Sequence, residues 1–325
     1  MSSPMTNERV DFHLYRINVV EPERDLFSDL KTSLRGEDSR IIKVFDNATS
    51  PEIVFESHGE RNSFEWSLRH FEFIKEGAGY QEPFGVVLAR SVTSQASKIV
   101  TEDGIEDGIS IGMPPPAQAC HIVVHIARHI LAVESVPSIT KTNRWIQAVQ
   151  SMIAESSQML GYSGHIELEP IPRSKEILAT FDSFSKIFRF AATIRLPNPE
   201  LSRFAQGQYE IMKKAKIDQM KQDMKSSQGL SKDEADWPRS SAELAQSGYK
   251  KGDVVIEGIQ NGKRVREQVG RKPMTVTMSQ LRDYVRGLKD GSKAKEATHK
   301  LSMVINEIDR ALPPPESALG NDERS

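Results

Sequence analysis

Apolar and polar positions alternate with a period of two along much of the first half of the chain, the pattern of half-buried strands. Phe12 to Val20 and Phe84 to Val92 are two such runs. Ser63 to Lys75 sets Phe64, Trp66 and Leu68 against Glu65, Ser67 and Arg69, and the pattern slips near Phe71, which predicts a change of register there. Ile41 to Phe45 and Glu52 to Glu56 are shorter strand candidates, and Ser97 to Val100 with Ile109 to Ile111 flank the turn-rich TEDGIEDG. Cys120 to Ile126 and His129 to Val136 are further β-rich runs, split at Ala127-Arg128. Pro22 to Leu34 reads as a helix that Arg35-Gly36 ends.

The period then changes. Ile139 to Leu160 carries Trp145, Ile146, Val149, Met152, Ile153 and Met159 at helical spacing, which predicts one amphipathic helix packed on the sheet. Gly164 to Phe204 is the central stretch. His165 to Pro170 alternates Ile166 and Leu168 with Glu167 and Glu169, placing that carboxylate pair on the expected solvent face. Glu176 to Phe184 has helical spacing, and Lys186 to Leu196 sets Ile187, Phe188, Phe190, Ala192 and Ile194 against Arg189 and Arg195. This strand-helix-strand order permits a parallel neighbour, while the short hairpins before it favour a mixed sheet.

Pro197 and Pro199 cannot continue a ladder, so the first sheet is expected to end there. Glu200 to Met224 places Phe204, Ile211, Met212, Ile217 and Met220 along one stripe of a long helix, a surface suited to docking another protein or a second copy. Lys225 to Ser247 reads as a mobile connection with a short helix at Ala242 to Gln246. Asp253 to Glu257 and Lys263 to Val269 flank Asn261-Gly262, a strong hairpin signal. Ser279 to Leu288 and Ala294 to Leu312 read as helices. The expected organisation is a 1–196 α+β sheet domain, a 197–312 helical and β-hairpin domain, and a disordered tail over 313–325. The fold class is α+β: a mixed, mostly antiparallel sheet with packed helices, plus a C-terminal helix and β-hairpin appendage.

Composition narrows the chemistry. A chain of 325 residues is long enough for a substantial core. Its formal net charge of −2 means that attraction to a polyanion must come from local clustering. The single cysteine, Cys120, excludes a disulfide framework and a cysteine-based zinc ribbon. No apolar run reaches the roughly 20 residues of a membrane span, since Ile122 to Val133 is broken by His125, Arg128 and His129. A soluble, cytoplasmic protein is expected, without membrane association.

His121, His125 and His129 share one strand face, but strand neighbours four apart are about 13 Å apart, too far to share a metal; only a helical segment would bring His121 and His125 together. Glu102, Asp103, Glu106 and Asp107 lack the spacing of a calcium loop. There is no Walker loop, G-x-G-x-x-G or nucleophile elbow, so no cofactor and no enzymatic activity is expected. The last third carries a basic excess. Lys263, Arg264, Arg266, Arg271, Lys272, Arg282 and Arg286 are the candidate phosphate contacts, presented on a hairpin and helices.

With SGHIELEPIPRSKEILATFDSFSKIFRFAATIRLPNPELSRF and the GYKKGDVVIEGIQNGKR hairpin, the chain resembles a bacterial family of unknown function over nearly its whole length. The IELEPIPR run, the FRFAATIRLP strand and the C-terminal hairpin with its helices are also similar in layout to the RexA exclusion protein of phage lambda. That second resemblance implies a non-enzymatic, dimeric, DNA-associated protein in phage defence, exclusion or abortive infection. The expected function is therefore DNA binding through the C-terminal basic surface. The alternative is a protein-interaction module or toxin component, whose partner is another defence-system or phage protein.

Overall fold

The computed structural model describes residues 9–21, 32–35, 37–59, 62–74, 83–101, 104–110, 116–173, 176–196, 206–234, 236–279 and 294–313. The architecture is α+β, with two principal antiparallel sheets. The first is nine-stranded and is built from β1 (Arg9–Val20), β3 (Val54–His58), β4 (Asn62–Phe73), β5 (Phe84–Thr101), β6 (Gly104–Ser110), β7 (Ala117–His125), β8 (Ile130–Glu134), β10 (His165–Pro170) and β15 (Thr275–Ser279). Its order is β10-β1-β8-β7-β5-β4-β3, with β15 sharing the β10 edge of β1 and β6 sharing the β7 edge of β5. A short parallel pair joins β2 (Thr32–Ser33) to β9 (Tyr162–Ser163).

Each face of this sheet carries a core. On one, α1 (Asp38–Asn47) and α3 (Arg144–Met159) pack Ile41, Phe45, Trp145, Val149 and Ile153 against Ile17, Leu68, Leu88 and Ile122. On the other, Val304, Ile305 and Ile308 of α7 (Ala294–Ala311) meet Phe12, Leu14, Val123, Val276 and Met278. The segment expected as a strand at Ile41 to Phe45 is helical. Ile41, Val44, Phe45 and Ala48 are buried at helical spacing while Lys43 and Asp46 face water, whereas a strand would have carried Lys43 inward with Ile41 and Phe45. The predicted slip near Phe71 is a bulge between Arg69 and Glu72, with His70 at φ 57°. The long helix expected over Ile139 to Leu160 divides into α2 (Pro137–Thr140) and α3.

The second sheet has the order β12-β11-β13-β14, from β11 (Lys186–Arg195), β12 (Gln219–Lys225), β13 (Lys250–Gln260) and β14 (Lys263–Val269). Helices α4 (Glu176–Ser183), α5 (Gln206–Lys214) and α6 (Trp237–Gln246) cover its inner face, where Ile177, Phe181, Met212, Leu244 and Ala245 pack on Ile187, Phe190, Ile194, Val254 and Ile256. Thus β10 and β11, which the order of elements allowed to pair in parallel, lie in different sheets. The expected boundary near Leu196 falls among the elements of the second sheet, and β15 and α7 return to the first.

The helix expected through Met224 stops at Lys214. Lys216 takes φ 55°, and the chain re-enters as β12, turning Met220 and Met224 toward the second core. Met212 is buried, so among the described residues of that stripe Ile211 is the large side chain left exposed, and Phe204 lies outside them. The predicted Asn261-Gly262 hairpin forms with φ 51° and 75°, the two positive values that a tight primed turn needs. The helix expected at Ser279 to Leu288, most of that at Pro22 to Leu34, and the 313–325 tail beyond residue 313 lie outside the described residues. Among the described residues no helix is long and apolar enough to cross a membrane.

Gly248 joins the two halves. It ends α6 at φ +85°, with its N–H bonded to the Ala245 carbonyl and the Tyr249 N–H to the Leu244 carbonyl, the paired closure of a left-handed helix cap. A Cβ there would sit 2.8 Å from Cβ of Arg16 on β1. Gly248→Ala is therefore expected to lower unfolding stability by about 2 kcal/mol or more, through both strain and overpacking. Urea unfolding of the full chain checks this; an unchanged midpoint would show that the cap and the Arg16 contact are dispensable.

Candidate nucleic-acid interface

Strand alternation sorts the second sheet into an apolar inner face and a charged outer one. On β11, Ile187, Phe190, Ala192 and Ile194 point into the core. A register shift between Ile187 and Arg189 places Phe188 as the extra residue, so that Phe188 and Arg189 both turn outward. On β12, Met220, Gln222 and Met224 are inward, and Lys221, Asp223 and Lys225 are exposed. On β14, Val265 and Val269 reach the core and Arg264, Arg266 and Gln268 are exposed.

Pairing aligns these outward residues in rows across the strands. Lys225, Arg189, Glu257 and Arg266 form one, Asp223, Ala191, Val255 and Gln268 the next, then Lys221, Thr193 and Lys251. At the other end Lys186 stands opposite Ile259, which stands opposite Arg264. The face thus carries the cations Lys186, Arg189, Lys221, Lys225, Arg264 and Arg266 against the carboxylates Asp223 and Glu257, with Lys251 at its seam edge, 3.6 Å from Glu167. Arg189 binds both, at 2.6 Å to Asp223 and 2.8 Å to Glu257. Those hydrogen bonds raise the Arg189 pKa further and hold Asp223 below the usual carboxylate range. Lys225 lies 3.2 Å from Asp223 and Arg266 3.6 Å from Glu257. Two carboxylates shared by three cations leave a strong positive excess.

Of the residues singled out from sequence, Arg264 and Arg266 lie on this face, and Lys263 is exposed at the start of β14. Arg271 and Lys272 are exposed just past β14, where Arg271 is tied to Asp253 at 2.5 Å. Arg282 and Arg286 lie outside the described residues. The remaining cations of the face, Lys186, Arg189, Lys221 and Lys225, and Lys251 at its edge, were not among the candidates. A signal was present in QMKQDMK, where Lys221, Asp223 and Lys225 alternate with Met220, Gln222 and Met224, but the stripe from Ile211 to Met220 suits a helix as well, and the spacing predicts one across the segment.

Glu167 and Glu169 do not face solvent as expected. They fill the seam between the sheets, opposite β11 and β13. Arg195, 3% exposed, donates to Glu167, and Lys251 approaches the same carboxylate at 3.6 Å. A bulge at the start of β13 turns Lys250 inward, where its ammonium lies 3.6 Å from Glu169 and donates to the Gly252 carbonyl at 2.9 Å. Hydrogen bonding from His165, with the charges of Arg195 and Lys251, overcomes burial and holds the Glu167 carboxyl down at about 2. Burial dominates for the other pair, pushing Glu169 up and Lys250 down despite their mutual attraction. Arg16 continues the seam, donating to the carbonyls of Ser247 and Arg128 at 2.9 and 2.6 Å and lying over the Tyr249 ring.

The three histidines do not converge. His121 pairs with Glu134 at 3.0 Å, His125 lies 3.4 Å from Asp309, and His129 meets Asp38 at 2.8 Å. Among the described residues no group of three or more His, Cys, Asp or Glu is placed to hold a metal ion.

Because the Glu167 carboxyl is depressed from 4.5 to about 2, its stabilisation is fully present above pH 4.5 and fades as pH falls toward 2. Glu167→Gln is expected to cost about 2 kcal/mol at neutral pH, the scale of a charge-assisted hydrogen bond. The gap from the unsubstituted chain should narrow below pH 4.5. Paired urea titrations across pH measure it, and a gap constant down to the lowest pH would contradict the assignment.

A family model described as domain of unknown function (DUF4747) matches residues 106–283, more than half of the chain, a span that contains all four strands of the second sheet. No curated protein matches, so the layout similarity to the RexA exclusion protein has no counterpart in these comparisons.

Proposed function

The chain belongs to the DUF4747 family, and on that premise we propose that it is a nucleic-acid-binding protein whose phosphate-contacting surface is the outer face of the second sheet. One observation carries the proposal: six cations against two carboxylates, with Lys251 at the seam edge facing Glu167, on one continuous four-stranded surface in a protein whose overall net charge is −2. With no whole-molecule field to attract a polyanion, such a concentration supplies local attraction and multiple phosphate contacts. Helices α4, α5 and α6 pack on the opposite face, which leaves these side chains at the surface. The interface differs from a purely C-terminal one. Arg264 and Arg266 contribute from β14, while β11 and β12 supply cations from the middle of the chain.

Binding is expected to be dominated by counterion release. The logarithm of the association constant should fall with the logarithm of salt at a slope of about −4, for about five phosphate contacts. Replacing Arg264 and Arg266 together by Ala should reduce the magnitude of that slope by about 2, because each contact contributes close to one. Lys43→Ala, on α1 of the first sheet, should leave it unchanged. Titrations of the full chain with labelled oligonucleotides at several salt concentrations decide this, and a flat salt response would reject the proposal.

A further inference from the structure

We propose that the nucleic acid this face takes is single-stranded, with a base stacked on Phe188. The inference rests on the phosphate-binding reading above and adds to it the strandedness of the ligand. Phe188 is the extra residue of the β11 bulge and stands half-buried on the outer face, away from the second core that Phe181, Phe184 and Phe190 fill. An aromatic ring placed there by a bulge contributes little to that core. Its neighbours are cations: the Lys186 ammonium lies 5.5 Å and the Arg264 guanidinium 5.7 Å from the ring centroid. Ring, guanidinium plane and ammonium together form the combination that receives a base on its π-face and the adjoining phosphate on a charge. Lys186, Ile259 and Arg264 run across three strands beside it, and from there the row of Lys225, Arg189, Glu257 and Arg266, three cations to one carboxylate, follows within the same face.

The shape of the face argues against a duplex. Reading or gripping a duplex groove needs an element that projects, such as a helix or a two-stranded ribbon. Here β13 is paired with β11 as far as Ile259, so the β13–β14 hairpin extends past the sheet by little more than its Asn261-Gly262 turn. The middle of the face carries the small or short side chains Ala191, Thr193 and Val255, an open floor across which an extended strand can lie. Aromatic residues on an open four-stranded sheet are a recurring way to splay and stack unpaired bases.

The experiment is an anisotropy titration of the full chain with single-stranded DNA, single-stranded RNA and duplex DNA of equal length. It is run on the unsubstituted protein and on Phe188→Leu, which keeps an apolar side chain but removes the ring, and Phe188→Tyr, which keeps the ring. Circular dichroism establishes that each variant is folded. At least one of the two single strands is expected to bind about tenfold or more tightly than the duplex. Phe188→Leu should weaken single-strand binding about tenfold with the salt slope unchanged, and Phe188→Tyr should restore it. Duplex binding equal to or tighter than both single strands would overturn the inference while leaving the phosphate-binding face in place. Equal loss on single strand and duplex in Phe188→Leu would overturn it in the same way. Absence of salt-sensitive binding to all three ligands would remove the phosphate-binding reading and this inference with it.

Discussion

The placement of β11 is the constraint on which the second half of the molecule depends. A strand sends successive side chains to opposite faces, and β11 is central in a four-stranded sheet with one face closed by helices. Burial of Ile187, Phe190, Ala192 and Ile194 therefore fixes where everything else on the strand must go. A slip by one residue would bring Arg189 into the apolar layer, a cost far larger than the alternatives. Register set by the core thus determines the charged face, and the neighbouring strands inherit it through pairing. Two register shifts interrupt this ladder: the one after Ile187 adds an aromatic ring to that face, and the one between Ala191 and Thr193 falls on β13 beside Lys250.

The same strand ends in the seam. Arg195 leaves the outer rows and turns to Glu167 on β10, while Lys250 on β13 turns to Glu169. Buried ion pairs of this kind add little net stability, since desolvation offsets their attraction, but a mismatched docking would strand unpaired charges. The seam is best understood as selecting one orientation of the second sheet against the first. Arg16, held between the end of α6 and the Arg128 carbonyl, and Gly248, with no room for a side chain, enforce the same docking by hydrogen bonding and contact. Because β15 returns to pair with β1, the chain closes over this junction.

Much of the fold was legible in the sequence because period-two alternation and turn chemistry are local. The strands β1, β4 and β10, the slip near Phe71, the split at Ala127-Arg128 and the Asn261-Gly262 hairpin follow from neighbouring residues alone. What was not legible depends on distant partners. Five residues at Ile41 to Phe45 suit either a strand or a helix until Ala48 joins the buried set. The polarity of Glu167 and Glu169 suggested solvent because their partners, Arg195, Lys250 and Lys251, lie 28 or more positions away in the sequence. The basic excess of the last third located part of the charged surface, through Arg264 and Arg266, but the same count also takes in Arg271, which is tied to Asp253. It also omitted Lys186, Arg189, Lys221 and Lys225, which the sheet brings alongside Arg264 and Arg266.

Sheet register, bulge and seam together produce a platform whose inner face packs an apolar core and whose outer face, among the described residues, is basic and carries the Phe188 ring. The most direct test of its role is a lysine-accessibility footprint of the full chain by acetylation and mass spectrometry, with and without a saturating single-stranded oligonucleotide. The account predicts protection of Lys186, Lys221, Lys225 and Lys251, with Lys43 and Lys141 on the first-sheet side unchanged. Protection confined to lysines elsewhere, with those four modified as readily as in the free protein, would contradict it.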